Sequence, residues 1–250
     1  MKCSYAYLAA AALLASAAPA FASTETFGQF IQQTPNARLF TYTKQDSGAN
    51  KKAEIKGTSI PVYYLLAAAG LPADLLGPQN ATLSVDFVSN LGTTGTGNSR
   101  TQLFDTVTNG SISFIRNTAA AEGNGTRTNL LTVTFSNAEL DASQNNGSFT
   151  FKSNDNSVIT FTSDFLDFSN VVDKDFSFSF SGSSPSFNAP VGSSSRSLSF
   201  SGSGTFASDP APLVVGGVPE PASWALMLGG FGLLGATLRM RKTAPLGAIA

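Results

Sequence analysis

Asp175-Phe176-Ser177-Phe178-Ser179-Phe180-Ser181 decides the fold class. Its period is two: three Phe fall on one side of an extended chain and Ser on the other. A helix turns about 100° per residue and would scatter these rings, so the pattern belongs to a half-buried strand. Similar runs lie on both sides of it. They are Thr82–Val88, Ser111–Ile115, Leu131–Phe135, Phe149–Phe151, Val158–Thr162 and Ser197–Phe200, the last continuing toward Phe206. One apolar face per strand is the pattern of antiparallel sheets covered on one side. Turn signals separate the runs: Asn109-Gly110, Gly123-Asn124-Gly125, Asn145-Asn146-Gly147 and Asn154-Asp155-Asn156. Asn109-Gly110 predicts a tight hairpin between Leu103–Val107 and Ser111–Ile115. Regular short strands with polar turns predict an all-β fold, an antiparallel β-sandwich of jelly-roll-like type. The one helix candidate is Val62–Ala69, bounded by Pro61 and Gly70, which reads equally well as a strand entering a turn. Phe161, Phe165 and Phe168 have helical spacing, but their surroundings are β. Eleven of the 20 Phe lie between Phe149 and Phe206. Their expected place is the sandwich core, not a surface platform for sugars.

This body occupies residues 23–207 and is single-domain in size. The whole chain has 250 residues and is only 12% charged, where about 25% is usual for a soluble domain. It has no His and one Cys, which excludes Ser-His and Cys-His nucleophile systems and metal centres built on those ligands. The formal net charge is −1, so no basic field points to nucleic acid. From Ser23 to Pro219 there are 15 acidic and 11 basic residues, a net charge of −4.

Both ends carry membrane signals. Residues 1–22 read as a secretory signal peptide: Lys2, an apolar run from Tyr5 to Ala18, then the small-x-small pattern Ala20-Phe21-Ala22, with cleavage expected after Ala22. Cys3 lies in this segment, so the mature chain has no cysteine and no disulfide. Residues 208–218 hold Pro210, Pro212, Gly216 and Gly217 and read as a linker. Then come Pro219-Glu220-Pro221, Trp224-Ala225, and an uncharged stretch from Ala222 to Leu238. As a helix that stretch would span about 26 Å against a hydrocarbon core of about 30 Å. Arg239, Arg241 and Lys242 form a basic stop that would stay cytoplasmic, followed by the tail 243–250. The expected span is therefore a single transmembrane helix, with the body outside the inner membrane.

The order of these parts resembles the PEP-CTERM sorting signal in its P-E-P-x-x-W-A variant, carried by Pro219, Glu220, Pro221, Trp224 and Ala225. Met240 interrupts the arginine run usual in that signal. The resemblance covers residues 217–242. It implies a substrate of an exosortase, a membrane-embedded cysteine protease or transpeptidase that cuts near the motif. It also implies a Gram-negative bacterium that makes exopolysaccharide, and a product released to the cell surface or exterior. The partners it implies are the exosortase, the Sec translocon and signal peptidase, with extracellular polysaccharide as a further candidate and no nucleic acid. Glu220 is the expected recognition residue.

The function expected is that of a non-enzymatic exported surface or matrix protein, associated with exopolysaccharide or biofilm, with no cofactor. The alternative is a carbohydrate-binding or calcium-assisted adhesive module. Asp164, Asp167, Asp173 and Asp175 lie close in sequence and are calcium candidates, because hard cations need several oxygens; their spacing is not that of an EF-hand loop. A polysaccharide-processing enzyme would need two carboxylates across a cleft, and Asp86, Asp105 and Glu139 are available. Lys51, Lys52 and Lys56 could touch an anionic polymer or form a solvated edge.

Overall fold

The computed structural model describes residues 24–45, 52–104, 110–118, 127–215 and 231. The strands are β1 (Glu25–Gln32), β2 (Phe40–Lys44), β3 (Ala53–Leu66), β4 (Gln79–Ser89), β5 (Ser99–Phe104), β6 (Gly110–Arg116) and β7 (Asn129–Ser136). They continue with β8 (Ala138–Ser143), β9 (Phe149–Lys152), β10 (Val158–Thr162), β11 (Leu166–Asp167), β12 (Asp173–Ser184), β13 (Leu198–Asp209) and β14 (Leu213–Val214). Twelve strands form one antiparallel sheet in the order β10-β7-β6-β4-β3-β1-β13-β12-β9-β8-β5, with β2 paired to β3 and β13. β11 and β14 form a separate two-stranded sheet.

The long sheet folds over on itself. β7 and β12 are six places apart in the strand order, which is about 29 Å on a flat sheet. Yet the Phe135 and Phe176 rings lie 4.9 Å apart. Phe87 of β4 stacks on Phe151 of β9, and Phe30 of β1 touches both Phe114 of β6 and Phe178 of β12. The two layers of the all-β fold are thus halves of one continuous sheet, joined through β1, β2 and β13, and not two separate sheets. A single apolar core fills the fold.

β1 and β2 share one lane between β3 and β13. β1 pairs with residues 62–66 of β3 and 203–208 of β13. β2 pairs with residues 53–56 of β3 and 198–200 of β13. Where the lane passes from one strand to the other, Ser59 of β3 takes a φ of 54° and the register with β4 shifts. At Gly204 of β13, a Cβ would lie 2.7 Å from the Phe30 ring and 2.8 Å from the Ser177 carbonyl oxygen. Glycine there lets β13 run beneath the ring stack.

The decisive heptapeptide lies within β12, and Phe176, Phe178 and Phe180 are all buried while the serines between them are exposed. Of the eleven Phe from Phe149 to Phe206, ten are buried and Phe168 packs partly buried against the core. None offers a surface platform. Val62–Leu66 completes β3, so the helix candidate is a strand entering a turn. Phe161 is in β10, and Phe165 and Phe168 flank β11, with no helix between them.

Two expectations are corrected. The Asn109-Gly110 hairpin does not form: β5 pairs with β8, and β6 lies between β4 and β7. The reason is tertiary. Phe104 of β5 packs edge-on to Phe151, while Phe114 of β6 packs on Tyr64 and Phe206, so each strand finds its partners in a different layer. The linker expected from residue 208 begins later. β13 stays in register to Asp209, opposite Asp173, and β14 pairs with β11. Val214 packs partly buried against the core, which outweighs the breaking effect of Pro210 and Pro212. The expected signal peptide, residues 1–22, and the expected transmembrane span Ala222–Leu238 lie outside the described residues, Phe231 excepted. Among the described residues, no helix is long and apolar enough to cross a membrane.

Candidate functional site

Alternation along β5, β8, β9 and β12 turns a second set of side chains outward. Thr101, Asp141, Ser143, Thr150, Ser179 and Ser181 line a recess of about 580 Å³ on the outer face. The Asp141 carboxylate sits at its edge. It accepts a hydrogen bond from Thr101 Oγ1 at 2.6 Å and an ion pair from Lys152 Nζ at 3.0 Å. Lys152 reaches Glu139 as well, at 3.3 Å. Asp141 first, then Glu139, holds the Lys152 ammonium above the usual lysine value. Arg100, also on the rim, donates to the backbone oxygens of Ala189, Gly97 and Ser99. The recess therefore presents hydroxyls beside charges that are already paired. Such a surface can hydrogen-bond a polyol.

A second recess, of about 490 Å³, is lined by Thr24, Ser153, Asp155, Asp173, Lys174 and Asp175, among others. It brings together two of the four calcium candidates. Asp175 accepts from Ser153 Oγ at 3.1 Å, and Lys174 Nζ donates to the Val171 carbonyl. The other two candidates have local structural roles. Asp164 Oδ2 accepts from the backbone N–H groups of Thr128 and Asn129, both at 2.8 Å. Asp167 accepts from Ser169 N–H at 2.9 Å, and this bond holds its carboxyl below the usual range. Among the described residues no three His, Cys, Asp or Glu side chains group as a metal site would require. The four aspartates do not converge.

The carboxylates considered for glycoside chemistry are not brought together either. Asp86 is on β4, 3.9 Å from Lys56 Nζ. Glu139 is on β8, in the other layer, and pairs with Lys152. Asp105 lies outside the described residues. Lys56 is held above the usual lysine value by its hydrogen bond to Glu54 and by the charge of Asp86, so it belongs to a solvated strand face. Lys51 is outside the described residues, and Lys52 precedes β3.

A buried polar cluster escaped the sequence reading. Tyr42 Oη donates to Gln102 Oε1 at 2.8 Å and accepts from Ser195 N–H at 3.2 Å. Gln102 Nε2 donates to the Leu91 carbonyl at 2.8 Å, and Ser194 Oγ to the Lys52 carbonyl at 2.7 Å. The cluster ties the loops near residues 91 and 194 to β2 and β5. Burial pushes the Tyr42 hydroxyl up to about 12. The one signal in the sequence was Gln102 at an inward position of an alternating strand, which reads as a break in pattern until its partners are seen.

The sorting residues Pro219, Glu220, Pro221, Trp224 and Ala225, the stop residues Arg239, Arg241 and Lys242, and the cleavage residues Ala20 and Ala22 lie outside the described residues. The structure does fix where the chain departs toward the motif. Leu213 and Val214 pair with Asp167 and Leu166, and Val215 N–H donates to the Phe165 carbonyl at 2.9 Å. From that point onward the sequence itself is informative. Residues 217–242 match the model of the PEP-CTERM protein-sorting motif. No characterised protein and no solved structure matches the chain.

Proposed function

We propose, from the PEP-CTERM protein-sorting motif that this chain carries, that it is an exported, non-enzymatic surface or matrix protein processed by an exosortase. The motif is the observation that carries this reading. In it, the Sec translocon and signal peptidase deliver residues 23–215 to the exterior, with cleavage after Ala22. The segment Ala222–Leu238 holds the protein in the membrane, with Arg239, Arg241 and Lys242 as the stop. The exosortase then reads Pro219-Glu220-Pro221 and separates body from anchor.

The chemistry of the motif supports it. Proline fixes φ and biases the residue before it away from α, so Pro219-Glu220-Pro221 favours an extended strip with one carboxylate. An extended strip is what a protease cleft accepts. A body without histidine, and without cysteine once the signal peptide is removed, supports a role that is structural or adhesive. Replacing Pro219, Glu220 and Pro221 with Ala should leave the full-length chain in the membrane fraction; release at the normal rate would contradict the reading.

The hydroxyl-lined recess favours one further function for the body, which is contact with extracellular polysaccharide. Thr101, Ser143, Thr150, Ser179 and Ser181 offer donors and acceptors at the spacing of adjacent strands, and the recess is of ligand size. Retention of the protein on the producing strain's own polysaccharide, reduced by T150A/S179A, is the expected result. Equal retention of both forms would remove this role from the recess.

A further inference from the structure

β5 and β10 are the two end strands of the long sheet, and their edges differ. At β5 the edge is strapped. Thr94 N–H donates to the Thr101 carbonyl at 2.8 Å, and Thr101 N–H donates to the Thr94 carbonyl at 3.0 Å. Ser89 Oγ donates to the Leu103 carbonyl. The loop after β4 thus stands where a further strand would pair. β10 pairs with β7 alone, and among the described residues no loop bonds to its other side. Open space lies beside it. The recess of about 490 Å³ has Ile159 on one side and residues 172–175, at the start of β12, on the other.

An open edge offers its N–H and C=O groups to another chain, and folds commonly blunt it with lysine, proline or a bulge. β10 has none of these. Ser157 to Ser163 carries no charge and no proline, and the register with β7 is unbroken. Val158 is 68% exposed, and Ile159 is only partly covered by the core.

The strand also matches its own reverse. Laid antiparallel to itself about Thr160, it sets Ile159 against Phe161 on the inner side and Val158 against Thr162 on the outer side. The inner pair continues the apolar core across the junction. The flanking charges fit as well. Five residues before Thr160 is Asp155, which is exposed. Five residues after it is Phe165, whose ring lies 5.1 Å from the Arg127 guanidinium. Both flanks lie about 17 Å from the midpoint along an extended chain. Reversal therefore brings Asp155 of each copy toward Arg127 of the other. Among the described residues, neither side chain has an ion pair within its own chain.

We propose that two copies of this chain associate through β10, edge to edge and antiparallel about a two-fold axis at Thr160. The interface is isologous, and the straps on the two β5 edges stop the joined sheet at both far ends, so the assembly closes at two copies. Five residues a side make a small interface, so the association is reversible and depends on concentration.

The test is disulfide trapping of the full-length protein in detergent, with Cys3, its one cysteine, replaced by Ser throughout. Thr160 is exposed, so Thr160→Cys leaves the core untouched. At the axis this residue faces itself, within reach of a disulfide after mild oxidation. Thr160→Cys should give a cross-linked dimer. Thr162→Cys alone should not, but mixed with Val158→Cys it should. Thr205→Cys, exposed on β13, is the control for random collision. Asp155→Asn in the Thr160→Cys chain should raise the protein concentration needed for half cross-linking about tenfold, about threefold for each of two exposed ion pairs. Cross-linking of Thr160→Cys no greater than that of Thr205→Cys would overturn the proposal. Equal cross-linking of Thr162→Cys alone and of its mixture with Val158→Cys would overturn this register. An unchanged concentration for Asp155→Asn would remove the Asp155–Arg127 contact from it.

Discussion

Phe87 and Phe151 stack with ring centroids 4.6 Å apart and planes 10° apart, although their strands are separated by four others in the same sheet. This pair records the folding-over of the sheet. Both rings are fully buried, and Phe151 also meets Phe104, Phe135, Phe176 and Phe178. Phe151→Ala should cost about 3–5 kcal/mol, a transfer term plus a cavity across both layers. Phe151→Leu should cost distinctly less. Urea denaturation of the body measures both, and a cost near zero for Phe151→Leu would mean that the ring stack contributes little.

Tyr64 offers the opposite case. Its hydroxyl is fully buried without a hydrogen-bond partner, and a Cβ built at Gly28 would lie 2.3 Å from it. An unpaired buried hydroxyl costs about 1–3 kcal/mol. Tyr64→Phe should therefore hold stability level or raise it by about 1 kcal/mol. Gly28→Ala should destabilise the wild-type body, and should cost less in the Tyr64→Phe background. A double-mutant cycle by thermal melts checks this coupling.

Asp164 separates a structural role from a metal role. It caps the start of β7 through two backbone N–H groups, and it steadies the corner that leads to β11. Asp164→Ala leaves both donors without their acceptor and should cost about 1.5–3 kcal/mol, the range for hydrogen bonds to a charged group. Calcium or a chelator should leave the melting temperature of the wild-type body unchanged. A calcium-dependent rise, lost in Asp164→Ala, would restore the metal reading.

Alkaline pH should weaken the body through its buried tyrosines. The Tyr42 hydroxyl titrates near 12 in the fold, against an ordinary value of 10.0, chiefly because burial disfavours its anion. The unfolded chain therefore loses this proton first. The contribution is fully present below pH 10 and is lost as pH rises from 10 toward 12. Its slope is about 1.4 kcal/mol per pH unit. Tyr64 is raised well above its ordinary value by the same cause and acts in the same direction. Urea midpoints measured between about pH 8 and pH 11 should fall across this window, and Tyr42→Phe should flatten part of the slope.

How far the sequence could be read depended on the range of the physics involved. The alternation in Asp175–Ser181 is local, and β12 and its inward rings follow from it directly. The buried set around Phe149 and Phe206 follows from the same rule. Asn109-Gly110 is local too, but strand partners are chosen by packing across the core, and Phe104 and Phe114 settle in different layers. The four aspartates are close in sequence, yet Asp164, Asp167 and Asp175 each accept from a separate donor, and only Asp173 and Asp175 share a recess. Gln102 looked like a polar intruder because its partners, Tyr42 and Ser194, are 60 and 92 residues away. The late start of the linker was hidden by Pro210 and Pro212, whose breaking effect is offset by the packing of Val214. The sorting motif needed no fold to be found, because it is carried by neighbouring residues within 217–242 of the sequence.

The most direct measurement is terminal mass spectrometry of the protein from secreted and membrane fractions of its producing cell. The account predicts an N-terminus at Ser23 in both. It predicts a C-terminus near Pro219–Pro221 in the secreted form, with the span and basic stop found only in the membrane form. A secreted protein that retains Trp224 through Lys242 would contradict it.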